Sequence, residues 1–311
     1  MGTAMAAQAR ALALDAGDPA AVTVASWAYA AAAHARGELR ESLRTDLRDT
    51  QGLGRLAVSV FDGQLCMTQR LLYGARPYEE VIGFADALAT EAERIGAARG
   101  RAFAVTIRGE AKLLSGELDG ADADLAAGAE LHREIGAATG RAFATQRRAE
   151  VALQRGEEER GRLLLDEALA IARESDVGFH LLDRIYGTRV TSAGDPAAGL
   201  AALEEAEAAV RGPDETCPTC RITLAVPAAI AAARAGDAER AEHWGTMVEY
   251  LAQVVMRLPA WDAALAEVEG HRAQAGGDPG AAARFGHAAD LFAEAGQPFD
   301  ESRCRQLAAA A

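Results

Sequence analysis

Residues 95–104 read IGAARGRAFA and residues 135–144 read IGAATGRAFA, so one stretch returns 40 positions later with a single substitution. A match of this length at a fixed offset is typical of two copies of one supersecondary unit. Such a unit needs its neighbours to bury its apolar face. The two stretches therefore predict a repeat protein with a period near 40 residues.

Glycines extend the same period along the chain. Seven of them recur at intervals of about 40 residues, and an acidic residue follows six of the seven: Gly37, Gly74, Gly116, Gly156, Gly194, Gly236 and Gly277. Glycine suits the left-handed position that ends a helix, and an acidic residue can cap the next helix or complement its dipole. Each unit is therefore predicted to be a helix A, a turn at the glycine, and a helix B.

Small residues stand at fixed distances from these turns. Gly109, Gly187 and Gly270 each lie seven residues before a turn glycine, and Gly161 and Gly199 each lie five residues after one. Glycine is unfavourable within a helix unless another backbone passes close by. These positions predict where helices A and B touch. The pattern resembles the tetratricopeptide repeat, although the period is longer and its Trp and Tyr positions are not consistently filled.

Composition fixes the class as all-α. Alanine is abundant, aromatic residues make up 5% of the chain, and no stretch alternates as a strand would. We expect a right-handed α-solenoid of about seven tetratricopeptide-like helical hairpins, forming a single domain over 1–311. A hinge is predicted near 211–217, between sub-stacks 1–211 and 217–311. Residues 4–16 and 298–309 each look like half a hairpin, either end caps or signs of a longer chain.

The charge balance excludes some partners. The formal net charge is −14, which argues against a nucleic-acid surface because such surfaces need clustered Lys and Arg. The first residues lack the apolar core of a secretion signal, being interrupted by Gln8, Arg10 and Asp15. No apolar run is long enough to span a bilayer. We therefore expect a cytoplasmic protein with no membrane contact.

Four segments carry a family resemblance: HLLDRIYGTRV (180–190), CPTCRITLAVPAAIAAARAGDAERAEHW (217–244), PAWDAALAEVEGHRAQAGGDPGAAARF (259–285) and HAADLFAEAGQPFDESRCRQLA (287–308). They resemble the C-terminal helical-repeat region of large ATP-binding LuxR-type bacterial transcriptional regulators and their cyclase-fused relatives. No GxxxxGK[ST] phosphate loop is present, and nothing after Gln306 could form a helix-turn-helix. The resemblance therefore implies a sensor or scaffold role without ATP hydrolysis or DNA binding.

Cys217 and Cys220 form a CPTC motif with three possible interpretations. Zinc would need two more ligands, but His243 should lie a helix length away and Cys304 two hairpins away, so no metal is predicted. A pair at a helix N-terminus could have a lowered thiol pKa and act as a redox sensor. The third interpretation is two small thiols that pack at the start of a helix.

The inner face of the A helices is the predicted binding surface. Polar residues recur there in columns, and five in adjacent hairpins are candidates to hold a peptide or a small polar ligand: Gln146, Arg148, Glu150, Arg184 and Tyr186. The alternative interpretation is that these five side chains are simply exposed to solvent and form ion pairs between repeats.

Taken together, these patterns favour a non-enzymatic scaffold or sensor region of a bacterial regulator. It would bind a protein or peptide partner, or a second copy of itself, through a concave groove. The alternative is a small-molecule effector receptor with the ligand between the middle repeats. No metal or nucleophile motif such as HExxH or GxSxG is present, so neither an enzyme nor a bound cofactor is predicted.

Overall fold

The computed structural model describes residues 2–175, 178–210 and 217–311, and all regular structure in these ranges is helical. The all-α prediction is confirmed. The described helices are α1 (Gly2–Ala16), α2 (Pro19–Ala35), α3 (Leu39–Asp49), α4 (Arg55–Thr68), α5 (Tyr78–Arg94), α6 (Ala98–Leu114), α7 (Leu118–Glu134), α8 (Ala138–Gln154), α9 (Glu158–Arg173), α10 (Phe179–Thr191), α11 (Pro196–Ala209), α12 (Pro218–Ala235), α13 (Ala238–Tyr250), α14 (Pro259–Ala275), α15 (Ala281–Glu294) and α16 (Pro298–Ala310).

The seven periodic glycines all lie between an even-numbered helix and the next odd-numbered one, as predicted. Six of them have a positive φ, which L side chains rarely adopt. Gly194 is the exception, and there Asp195 caps α11 by accepting a hydrogen bond from the Ala198 N–H at 2.9 Å. Gly96 and Gly136, inside the two matching stretches, also have a positive φ and form turns from an odd-numbered to an even-numbered helix.

Two layers of helices follow from the packing. Most helices pack against their successor, and the even-numbered helices from α4 to α14 also pack against one another in sequence. The even-numbered helices therefore form an inner layer and the odd-numbered helices an outer one. This arrangement is consistent with an α-solenoid.

The glycine positions explain how closely the layers approach. A Cβ atom on Gly109 would lie 2.7 Å from Leu125 of α7, and one on Gly270 would lie 2.6 Å from Phe285 of α15. These contacts confirm the predicted A–B approach. The prediction was wrong at Gly187, where a Cβ would lie 2.0 Å from the carbonyl oxygen of Thr223. Thr223 belongs to α12, so this glycine lets two inner helices touch.

The inner layer curls back on itself, so the expected open groove is closed along one side. The Ala260 N–H of α14 donates to the Tyr73 carbonyl at 3.1 Å, and the Tyr73 ring stacks on Trp261 at 4.6 Å. Gln297 donates to the Tyr78 hydroxyl at 2.7 Å. We call this contact between the early and late helices the seam.

A π-helical segment, Leu251–Met256, continues α13 on the same side of the molecule. It ends at Arg257, a non-glycine residue with a positive φ of 52°. Arg70, which follows α4, donates hydrogen bonds to the carbonyls of Val255 and Met256. The carbonyls at the end of this segment are thus satisfied from across the seam.

The predicted hinge at 211–217 falls mainly on residues 211–216, which lie outside the described residues. Cys217, at its end, is the N-cap of α12. None of the described helices has the length and apolar character needed to cross a bilayer.

Candidate functional site

The inner helices α8, α10, α12, α14 and α16 surround a cavity of about 630 Å³, with Tyr73 and Trp261 in its wall. This volume lies in the range typical of small-molecule sites. Apolar side chains supply much of the remaining wall: Leu113, Leu153, Val226, Ile230 and Phe292. The cavity therefore combines an apolar body with a limited number of polar groups.

A buried ion cluster forms one side of the cavity. Arg147 of α8 is almost fully buried, and its guanidinium donates to the carboxylates of Glu110 and Glu150 and to the Tyr73 hydroxyl. Burial opposes the charge of Arg147, but the two carboxylates outweigh it and hold the pKa of this guanidinium well above its ordinary value. Arg147 thereby joins α6, α8 and the seam.

Gln146 and Thr188 extend this cluster to the next inner helix. The Gln146 amide donates to Glu150 at 2.7 Å and to the Thr188 hydroxyl at 2.9 Å. The Thr188 hydroxyl lies 3.0 Å from both Glu150 and the Arg184 carbonyl. These three side chains fix the relative position of α8 and α10 at the wall of the cavity.

Arg184 differs from Arg147 because its terminal nitrogens lack acceptors. The residue is only 3% exposed, yet neither Nη1 nor Nη2 finds a hydrogen-bond acceptor among the described residues. Its closest carboxylate oxygen, on Glu110, is 4.0 Å away and already accepts from Arg147. The guanidinium lies over the Phe143 ring at 4.9 Å, which accounts for one face but leaves the donors unused.

A second charged group lies across the cavity. Arg303 of α16 donates to both carboxylate oxygens of Glu267 at 2.8 and 2.7 Å and to Asp300 at 2.5 Å. Burial alone would raise the pKa of Glu267, but Arg303 outweighs it and holds that pKa below its usual range. Burial lowers the pKa of His271 beside it; Glu267 opposes this shift, and nearby arginines add to it.

The structure separates the five predicted groove residues into two sets. Three of them line the cavity: Gln146, Glu150 and Arg184. Arg148 instead points to the outer layer and donates to Asp122 of α7 at 3.1 Å. Tyr186 is buried, and the Arg189 guanidinium lies 5.5 Å from its ring centre. Arg148 and Tyr186 each lie two residues from a cavity residue, and positions i and i+2 point to different sides of a helix.

The two cysteines of the CPTC motif meet a third thiol. Cys66 of α4 lies with its sulfur 3.0 Å from that of Cys220, and the Sγ atoms of Cys66, Cys217 and Cys220 all lie within 4.8 Å of one another. The Cys217 sulfur also lies 3.0 Å from the Thr219 hydroxyl. Hydrogen bonding with Cys217 and Cys66, together with burial, raises the pKa of the Cys220 thiol. This is opposite to the lowered pKa on which the redox-sensor hypothesis depended, and that role stays a prediction.

Sequence reasoning missed Arg147, Tyr73 and Cys66. Helical phase could have found Arg147, because it lies three positions before Glu150, a spacing that makes two side chains neighbours on a helix surface. Tyr73 and Cys66 carried no comparable signal. Their part in these sites depends on the seam, which joins segments far apart in the chain.

No protein-family model matches this chain, and no curated protein is significantly similar to it.

Proposed function

We propose that this chain is a receptor that binds a small carboxylate- or phosphate-bearing molecule in the inner cavity. The observation that carries the proposal is Arg184, a buried guanidinium in the cavity wall with both terminal nitrogens lacking acceptors. A guanidinium presents parallel N–H donors that match the two oxygens of a carboxylate or phosphate. A bound anion would remove the cost of leaving these donors unsatisfied.

The rest of the cavity supports the same class of ligand. Trp261, Val226 and Ile230 offer an apolar surface to the body of the molecule. Both terminal nitrogens of Arg147 already donate to carboxylates, whereas the terminal nitrogens of Arg184 have no acceptor among the described residues. Arg184 is therefore the arginine of this cluster that can offer a pair of terminal donors to a ligand. The ligand is therefore small, amphipathic and anionic at one end.

This proposal takes up the effector-receptor alternative from the sequence. The repeat type belongs to the proposal too: a right-handed α-solenoid of tetratricopeptide-like hairpins that serves as the sensor region of a bacterial regulator and catalyses no reaction. Occupancy of the cavity would be transmitted as small rotations between hairpins. Binding of a protein or peptide partner, or of a second copy, stays a prediction. The closed seam favours a small molecule because an extended chain needs an open groove.

The test is a thermal-shift screen of the full chain against short-chain carboxylates, dicarboxylates and sugar phosphates, followed by calorimetry of each positive compound. A ligand at 100 times its Kd adds about 2.7 kcal/mol of stability. We expect Arg184→Gln to weaken binding by about 10- to 100-fold, as for the loss of hydrogen bonds to a charged group.

Arg148→Gln is the matched control, because Arg148 lies on the same inner layer but pairs outward with Asp122. It should leave the affinity unchanged. Equal losses in the two variants would contradict the proposal, and so would a screen in which no anionic compound binds saturably.

A further inference from the structure

Three thiols from two distant parts of the chain converge at one point. Cys66 lies in α4, while Cys217 is the N-cap of α12 and Cys220 lies in its first turn. Cys66 and Cys220 are 154 residues apart in sequence, yet their sulfur atoms are 3.0 Å apart. All three cysteines are buried. The curl of the inner layer that forms the seam also brings these thiols together.

The distances between the sulfur atoms fit a metal ion bound by all three thiolates. An ion held at about 2.3 Å from three sulfurs in a plane needs those sulfurs about 4 Å apart. The three Sγ atoms already lie within 4.8 Å of one another, so small side-chain rotations suffice. No histidine or carboxylate among the described residues joins the group. The set thus has three sulfurs, whereas structural zinc sites almost always have four ligands.

Hydrogen bonding among the thiols and burial raise the pKa of Cys66 and Cys220, and two positive features oppose that shift. The positive end of the α12 dipole lies at Cys217 and Cys220. The positive charge of Arg184 acts on both Cys66 and Cys220. Binding of a monovalent ion releases one proton from each thiol to solvent and leaves a complex of net charge −2, which these positive groups stabilise.

A second cavity offers a route to the thiols. Its volume is about 390 Å³, and Trp27 and Thr219 are in its wall. Trp27 also packs on the three cysteines, and Thr219 contacts the Cys217 sulfur. Side chains that line this cavity are therefore also in contact with the thiol cluster.

We propose that Cys66, Cys217 and Cys220 form a three-coordinate thiolate site for a soft metal ion, with Cu(I) as the fitting ion. Thiolates select soft ions, and Cu(I) accepts three sulfur ligands without a fourth. The bound ion would tie α4 to α12 and so hold the inner layer in its closed form.

The experiment titrates the full chain, reduced and free of oxygen, with Cu(I) supplied as its acetonitrile complex against a chromophoric Cu(I) chelator. We expect one Cu(I) per chain, with three sulfur neighbours in the X-ray absorption spectrum of the wild-type protein. Cys66→Ser should lower the affinity by more than the 10- to 100-fold loss typical of an outer-shell change. Cys304→Ser is the control, since Cys304 is a buried cysteine outside the cluster, and it should bind Cu(I) like the wild type.

Two results would overturn the proposal directly: Cu(I) affinity that survives Cys66→Ser, or a wild-type spectrum with only two sulfur neighbours. Zn(II) bound more tightly than Cu(I), with a fourth ligand, would overturn the three-coordinate assignment. The wild-type spectrum counts the sulfurs without reference to the folding of any variant.

Discussion

Replacing Gly187 with alanine tests the closest approach of two inner helices. A Cβ atom there would lie 2.0 Å from the Thr223 carbonyl oxygen and 2.9 Å from its carbonyl carbon. Both are backbone atoms, so α10 and α12 would have to separate by more than about 1 Å to reach ordinary contact near 3.5 Å. Overpacking costs about 1–3 kcal/mol, and a clash with backbone atoms belongs at the upper end, about 2–3 kcal/mol. Alanine regains about 0.5–1 kcal/mol of helix propensity, so we expect a net loss of about 1–2.5 kcal/mol.

The assay is urea unfolding followed by circular dichroism, with Gly83→Ala and Gly286→Ala as controls. These glycines lie within α5 and α15, and a Cβ atom on either meets nothing within 4 Å. Both controls should therefore gain about 0.5–1 kcal/mol. A Gly187→Ala protein as stable as the controls would show that α10 and α12 do not pass each other so closely, and the inner layer as described would be wrong.

Two further predictions concern buried titratable groups. Burial lowers the pKa of His132 to about 4 from 6.5, so the unfolded state binds the proton more readily than the folded state. The free energy of unfolding should therefore fall by about 3 kcal/mol as the pH falls from about 6.5 to 4, measured by urea unfolding at each pH. An identical pH dependence in His132→Gln would contradict this prediction. Glu110→Ala removes one partner of the buried Arg147 ion pair and should cost about 3 kcal/mol in urea unfolding. Glu159→Ala, which breaks an exposed pair with Arg162, should have no measurable effect, and equal costs would refute the argument.

Local rules predicted the turns because each depends on a few neighbouring residues. Gly116 and Gly156 have the left-handed backbone that their position before an acidic residue indicated. Helical phase likewise placed Gln146 and Arg184 on the inner face, where they line the cavity. The same rule, applied strictly, would have excluded Arg148.

The closure of the inner layer could not be predicted in this way. It results from small rotations summed over successive hairpins, and no single residue specifies that sum. Tyr73 reaches Trp261, and Cys66 reaches Cys220, only after the full set of rotations has been made. The three-thiol cluster and the seam that borders the cavity were therefore beyond a repeat-by-repeat interpretation, even though every residue involved is visible in the sequence.

The seam also changes how the molecule should come apart. In a stack whose repeats touch only their neighbours, stability is close to a sum of local contributions, and the ends can fray independently. Here Arg70 bonds to a carbonyl 186 residues away, so early and late hairpins share one set of contacts. A destabilising substitution in an early hairpin should therefore also destabilise the late hairpins that it contacts. On heating, the chain between the two seam segments should unfold as a single cooperative unit. We expect those segments to meet late in folding, because closing so long a loop costs more chain entropy than pairing adjacent hairpins.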